Sequence, residues 1–222
     1  VISKTNLKLY PLLDLEVMVT YYMLKRKIPM MLMLLKRLND IDKRDVYSEV
    51  EYLKKVDYMY VVKYFDSWRE KDVVYIQLEM CAHNLTNMLG IKPQLFKRRS
   101  EETLNLYKYL ISCEIFKEIL ECVEYLHEKQ FIHRDLKPDN ILIADNILNG
   151  RFIKLCDFGL VTKHDKIHDI TMYKHTTDRG TIKYMAPEVA AGVKYDHKSD
   201  IYSVALIAGE IFGINVLNEL DK

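Results

Sequence analysis

Apolar residues recur at helical spacing through the middle of the chain. Ile111, Ile115, Ile119, Val123 and Leu126 share one face, which predicts a long amphipathic helix ending near Lys129. Residues 43–55 predict a second helix, with Asp42 as its cap and Val46, Val50 and Leu53 on one face. β-Branched and aromatic residues dominate 60–65 and 73–80, so these predict strands separated by a polar turn around Glu70 and Lys71. Two shorter strands, 141–143 and 152–156, flank a turn at 146–150. Residues 159–186 are polar and aperiodic, as in a long functional loop. Residues 200–212 are apolar nearly all round and predict a buried helix. The first forty residues are rich in Met, Leu and Tyr and show no clean period. Strands precede helices, so the predicted class is α+β.

Composition narrows the function classes. A chain of 222 residues suffices for one large domain or two small lobes. With 49% hydrophobic and 29% charged residues it has enough apolar surface to offset the entropy of ordering. Its 33 basic and 32 acidic residues leave a net charge of +1, which gives no basic surface for direct nucleic-acid contact. The longest run of Met and Leu, 30–35, is six residues, far short of the ~20 needed to span a bilayer, and no signal-peptide pattern is present. Cys81, Cys113, Cys122 and Cys156 form neither a C-x-x-C pair nor a tight framework, so reduced thiols and a cytoplasmic setting are expected. The chain opens on Val1 rather than methionine, which reads as a fragment.

The chemistry concentrates after the long helix, in Ile132-His133-Arg134-Asp135-Leu136-Lys137-Pro138-Asp139-Asn140. Asp157-Phe158-Gly159 and then Ala186-Pro187-Glu188 follow. In this order and context the three motifs resemble the catalytic loop, magnesium-binding motif and substrate-loop terminus of serine/threonine protein kinases. The resemblance runs from about Leu34 to the C-terminus. It implies a two-lobed kinase fold with a degenerate or incomplete small lobe and a large helical lobe truncated after its central buried helix. The implied division is a degenerate or misread segment over 1–33, a partial small lobe over 34–80 and a partial large lobe over 81–222.

The resemblance also implies roles for individual residues. Phosphoryl transfer from ATP needs positioning and charge neutralisation far more than covalent help. Asp135 then accepts the proton of the attacking hydroxyl, and Lys137 sits beside the γ-phosphate, favouring serine or threonine substrates. Asn140 and Asp157 hold Mg²⁺ through hard oxygen ligands. His133 packs against Phe158, Asp200 braces the backbone of the catalytic loop, and Glu188 closes the substrate loop. Arg134, beside Asp135, is a charge that a loop phosphate would neutralise. Thr176 and Thr177 are the chosen acceptors among Thr171, Tyr173 and Thr181, and Thr181 itself is expected to bond Asp135 and Lys137.

Val62-Lys63-Tyr64-Phe65-Asp66-Ser67-Trp68 is similar to the Asn/Asp-x-Trp strand of kinases of the alpha subunit of translation initiation factor 2. Tyr75-Ile76-Gln77-Leu78-Glu79-Met80-Cys81 resembles their gatekeeper strand and hinge. Gly180-Thr181-Ile182-Lys183-Tyr184-Met185-Ala186-Pro187-Glu188 looks closest to the double-stranded-RNA-activated member. The adenine is then met by Glu79, Met80 and Cys81 of the hinge, with Leu78 as gatekeeper and Leu142 among the nucleotide-binding positions. A protein substrate, initiation factor 2 alpha, and a kinase homodimer are the implied partners. Cell-cycle kinases of the Wee or NimA-related type share parts of these motifs.

The chain departs from the family at both ends. All seven glycines lie at or after Gly90, so no glycine-rich loop precedes Lys36, which is read as the phosphate-binding lysine with Glu49 as its ion-pair partner. Three readings stand: a partial or misread gene product, a degenerate kinase, and a mimic that binds true kinases without catalysis. An incomplete or misread N-terminus is the expectation carried forward, with a pseudokinase-like regulatory module as the alternative function.

Overall fold

The computed structural model describes residues 9–11, 19–24, 33–39, 43–70, 73–95, 101–148, 150–163, 182–191 and 196–214. The chain divides into two compact units, Val1–Met80 and Cys81–Lys222.

The first unit contains β1 (Leu9–Pro11), β2 (Val19–Leu24), β3 (Met33–Asn39), helix α1 (Lys43–Leu53), β4 (Tyr64–Glu70) and β5 (Val73–Glu79). The strands form one antiparallel sheet in the order β1-β2-β3-β5-β4. β1 to β3 thus lie where the sequence shows no clean period. Their ladder partners rather than an alternating pattern define them, as for strands whose place is decided by pairing. On β5 the period of two is plain: Val74, Ile76 and Leu78 are buried and their neighbours half-buried. Trp68 stands opposite Tyr75, and their rings stack 5.5 Å apart at 14°.

The strand expected over 60–65 begins instead at Tyr64 and runs to Glu70. Residues before it are spent in a turn. The Tyr60 and Val61 N–H groups both donate to the Asp57 carbonyl, at 3.1 and 3.2 Å, and Asp57 Oδ1 accepts from Met59 N–H at 2.9 Å. This aspartate-centred turn satisfies the backbone locally, and the β-forming composition loses to it.

The second unit begins with β6 (His83–Asn84) and α2 (Leu85–Leu95), started by reciprocal bonds between Asn84 and Asn87 of 2.9 and 3.1 Å. Next come α3 (Glu101–Glu128), β7 (Phe131–Ile132), a 3₁₀ turn (Pro138–Asn140), β8 (Ile141–Leu148), β9 (Arg151–Leu155) and β10 (Thr162–Lys163). A short α4 (Pro187–Ala190) and α5 (Lys198–Phe212) follow. β6, β8 and β9 form one small sheet, while β10 pairs with β7 in another. β8 thus runs on through part of the turn expected at 146–150, with a register shift between Ile143 and Leu148.

α3 and α5 pack together around Ile115, Ile119, Val123 and Leu126 of one and Val204, Ile207 and Ile211 of the other. Ile111, expected on the buried face, is 49% exposed. The buried stripe instead reaches Ser112, whose hydroxyl donates to the Ile211 carbonyl at 3.2 Å. Phe116 meets Phe212 edge-on at 5.8 Å. α5 ends at Gly213, whose φ of 73° is the left-handed cap that a glycine adopts without Cβ strain. Among the described residues no helix is long and apolar enough to cross a membrane.

A polar clasp fixes β9, an edge strand, to α3. Glu118 is 2% exposed, and its Oε2 accepts from the N–H groups of Phe152 (2.9 Å) and Ile153 (2.8 Å). Arg151 donates to the Glu118 carbonyl at 3.1 Å, to Cys122 Sγ at 3.3 Å, and to Glu121. Burial pushes the Cys122 thiol up to about 12, so it stays protonated at neutral pH. The clasp covers an edge that would otherwise expose unpaired backbone donors. Replacing Glu118 by alanine leaves two buried N–H groups without their acceptor. We expect a loss of about 2–4 kcal/mol in unfolding free energy, measured by urea denaturation with unchanged far-ultraviolet circular dichroism below the transition.

Candidate active site

The segment between β7 and the 3₁₀ turn has no ladder to hold it, so its shape must come from side chains. Asp200, in the first turn of α5 and 1% exposed, supplies the main restraint. Its Oδ2 accepts from His133 N–H at 2.9 Å and its Oδ1 from Arg134 N–H at 2.8 Å. His127, at the C-terminal end of α3, places Nε2 2.9 Å from the same Oδ2. Three donors on one buried carboxylate compensate its desolvation. Arg134 sits at φ 72°, a left-handed conformation that a non-glycine residue holds only when its surroundings enforce it. Its guanidinium reaches the Leu160 carbonyl at 3.4 Å.

His133 is fully buried, with Nε2 3.0 Å from the Cys156 carbonyl and Nδ1 accepting from Asp135 N–H at 3.4 Å. Those partners assign the neutral tautomer with its proton on Nε2, and both ring nitrogens are engaged in structure. The ring lies edge-on to Phe158, centroids 5.6 Å apart.

Asp135 follows directly, 9% exposed. Asn140 Nδ2 donates to its carbonyl at 2.8 Å and to its Oδ2 at 2.9 Å, while Lys137 Nζ lies 3.0 Å from that same oxygen. The amide of Asn140 is thereby oriented, with its nitrogen committed to Asp135 and its oxygen left as the hard donor. Asn140 also accepts from Cys156 N–H at 3.0 Å, continuing the β8–β9 ladder, which brings Asp157 beside it. Asp157 has φ 61°, and its Oδ1 is 3.5 Å from Gly159 N.

Among the described residues no group of three or more His, Cys, Asp or Glu side chains forms a metal cage. The pair of Asn140 and Asp157 offers few hard oxygen donors, which is what Mg²⁺ uses when phosphate oxygens and water complete its shell.

The remaining residues singled out in the sequence are placed as follows. Lys36 stands on β3 opposite Ile76, and Glu49 is buried on α1 at 2% exposure. Glu79 ends β5, its N–H donating to the Lys63 carbonyl at 2.9 Å. These three belong to the first unit. In the second, Cys81 is half-buried, and Leu142 is half-buried on β8 opposite Lys154. Glu188 is half-buried in the first turn of α4. Thr171, Tyr173, Thr176, Thr177 and Thr181 lie outside the described residues.

Two contributors escape a sequence reading. His127 meets Asp200 across 73 positions, and nothing local marks it. Ser203 donates to the Tyr184 carbonyl at 2.7 Å and so straps the segment before α4 onto α5. A small polar residue within an otherwise apolar helix is the signal that would have found it.

Asp200→Asn replaces one of two accepting oxygens by a donor that faces existing donors. The expected result is a loss of about 2–3 kcal/mol in stability together with faster amide exchange at His133 and Arg134, read by hydrogen–deuterium exchange.

A protein kinase domain family model matches residues 24–219. The chain is 36% identical over 151 residues to eukaryotic translation initiation factor 2-alpha kinase 3 of Bos taurus, covering 64% of this chain and 12% of that protein. It is 31% identical over 172 residues to calcium-dependent protein kinase 5 of Plasmodium berghei (strain Anka), covering 78% of this chain and 27% of the relative. The probable serine/threonine-protein kinase nek3 of Dictyostelium discoideum is 31% identical over 196 residues, 85% of this chain and 16% of the relative. The chain thus spans roughly an eighth to a quarter of the length of these relatives. Since the match runs through β3, the Asp135 segment, Asp157 and α5 alike, the chain belongs to the protein kinase domain family.

Proposed function

We propose that this chain carries the chemistry of a serine/threonine protein kinase, transferring the γ-phosphoryl group of ATP to a protein hydroxyl. The observation that carries this reading is the Asp135 carboxylate, buried and held by the Asn140 amide and the Lys137 ammonium at 2.9 and 3.0 Å. In this reading Asp135 orients the substrate hydroxyl and accepts its proton, and Lys137 steadies charge at the transferring group. Asn140 and Asp157 hold Mg²⁺. Mg·ATP, when bound, supplies the phosphoryl group and neutralises its oxygens. Lys36, Glu49, Glu79, Cys81 and Leu142 are assigned to the nucleotide. Arg134 is assigned to a phosphate on Thr176 or Thr177, and Thr181 to the Asp135–Lys137 pair.

The substrate we assign is initiation factor 2 alpha, phosphorylated in the cytoplasm to repress translation under stress. Support comes from the Trp68 strand, the 75–81 hinge segment and the relative whose name is that of an initiation factor 2-alpha kinase. Incubating the chain with that factor and labelled ATP should give Mg²⁺-dependent labelling on serine, and Asp135→Asn should reduce the rate at least about a hundredfold. Equal labelling by the variant refutes the role given to Asp135.

A second reading, a regulatory module that binds active kinases without catalysis, is favoured by the absence of glycine before Gly90. Thermal unfolding separates the two. Saturating Mg·ATP, at about a hundred times its dissociation constant, should stabilise a nucleotide-binding kinase by about 2.7 kcal/mol. No shift in midpoint points to the module.

A further inference from the structure

One ion pair lies beside the catalytic segment without serving it. Lys183 Nζ contacts Glu210 Oε1, and the Tyr184 hydroxyl donates to that same oxygen at 2.7 Å. The lysine side chain is 57% exposed and the glutamate 29%, so solvent reaches both. The pair is positioned from two sides. Ser203 of α5 holds the Tyr184 carbonyl, and Met185 N–H closes a turn onto the Ile182 carbonyl at 3.2 Å. Glu210 lies on the helix whose Asp200 anchors His133 and Arg134. Ten residues separate the two carboxylates, about 15 Å along the axis at 1.5 Å per residue. An extended peptide covers that in four to five residues. The Tyr184 hydroxyl is pushed up chiefly by burial, then by its bond to Glu210, and by the charges of Glu210 and Asp139. Asp139, in the 3₁₀ turn next to Asn140, thus faces the same tyrosine from the catalytic side.

We propose that the Lys183–Glu210 pair is a specificity determinant: Lys183 neutralises a carboxylate that would otherwise attract a basic residue flanking the acceptor hydroxyl. The argument rests on the kinase reading above and deepens it. A carboxylate has about four acceptor positions, and Tyr184 uses one. Without the lysine, Glu210 and Asp139 together present unbalanced negative charge near the path of the substrate. With it, an arginine arriving there meets an ammonium already in place, and like charges discriminate against wrong partners. The substrates selected are therefore those with an acidic or neutral side chain at this position.

The test is a serine-centred peptide library in which Arg or Glu is scanned through five positions on each side of the acceptor, phosphorylated by the chain and by its variants. At one flanking position the wild type should prefer Glu over Arg. Lys183→Ala should raise the Arg-to-Glu rate ratio there about fivefold, the scale of a partly exposed charge pair. Adding Glu210→Gln, which keeps an acceptor for Tyr184, should abolish that rise. An unchanged ratio at every position in Lys183→Ala, with labelling intact, overturns the inference and leaves the kinase reading standing. No labelling of any peptide by the wild type refutes the kinase reading and takes this inference with it.

Discussion

The geometry of the second unit depends on a carboxylate that has been taken out of water. Asp200 is 1% exposed, and it accepts three hydrogen bonds from groups that no regular element would otherwise organise. A buried charge is costly unless every lone pair finds a donor, and here the donors are two backbone N–H groups and an imidazole. The same bonds that make the charge tolerable hold the chain at His133 and Arg134. Loop shape and charge burial are one constraint seen from two sides.

Strain shows where that constraint acts. Arg134 and Asp157 both occupy the left-handed region without being glycine, at about 1–3 kcal/mol each. The first is restrained by Asp200 and the second follows the β8–β9 ladder. The result is that Asp135, Asn140 and Asp157, from three different local contexts, come close around one region. Asn140 links them through side chain and main chain together, donating to Asp135 and accepting from Cys156. Its residue type matters here: an amide can donate to a carboxylate and still offer an oxygen, which neither Asp nor a hydrocarbon can do.

The support beneath this region is also polar. The three-stranded sheet would end in an open edge at β9, and Glu118 and Arg151 close it against α3. Burying these groups is tolerable because each has several partners, whereas a half-satisfied network would be worse than an apolar one. β9 leads directly into Asp157, so the clasp keeps one wall of the candidate site in register.

The sequence by itself determined the long helix, the buried helix around 200–212, the alternating strand β5 and the identity of the residues that gather at the site. Period and motif order are properties of neighbours along the chain, and they survive without knowledge of the fold. The start of β4 was not legible, because a turn at Asp57 competes locally with β-forming composition. Nor were β1 to β3, whose pairing rather than their pattern defines them. Only the tertiary structure decided that His127 shares a carboxylate with the catalytic segment, that Glu118 caps an edge strand, and that Lys183 faces Glu210. Each of these joins residues tens of positions apart. Hydrogen bonds and charge pairs are short-ranged, so they act only once the packing of α3 and α5 has brought their partners together.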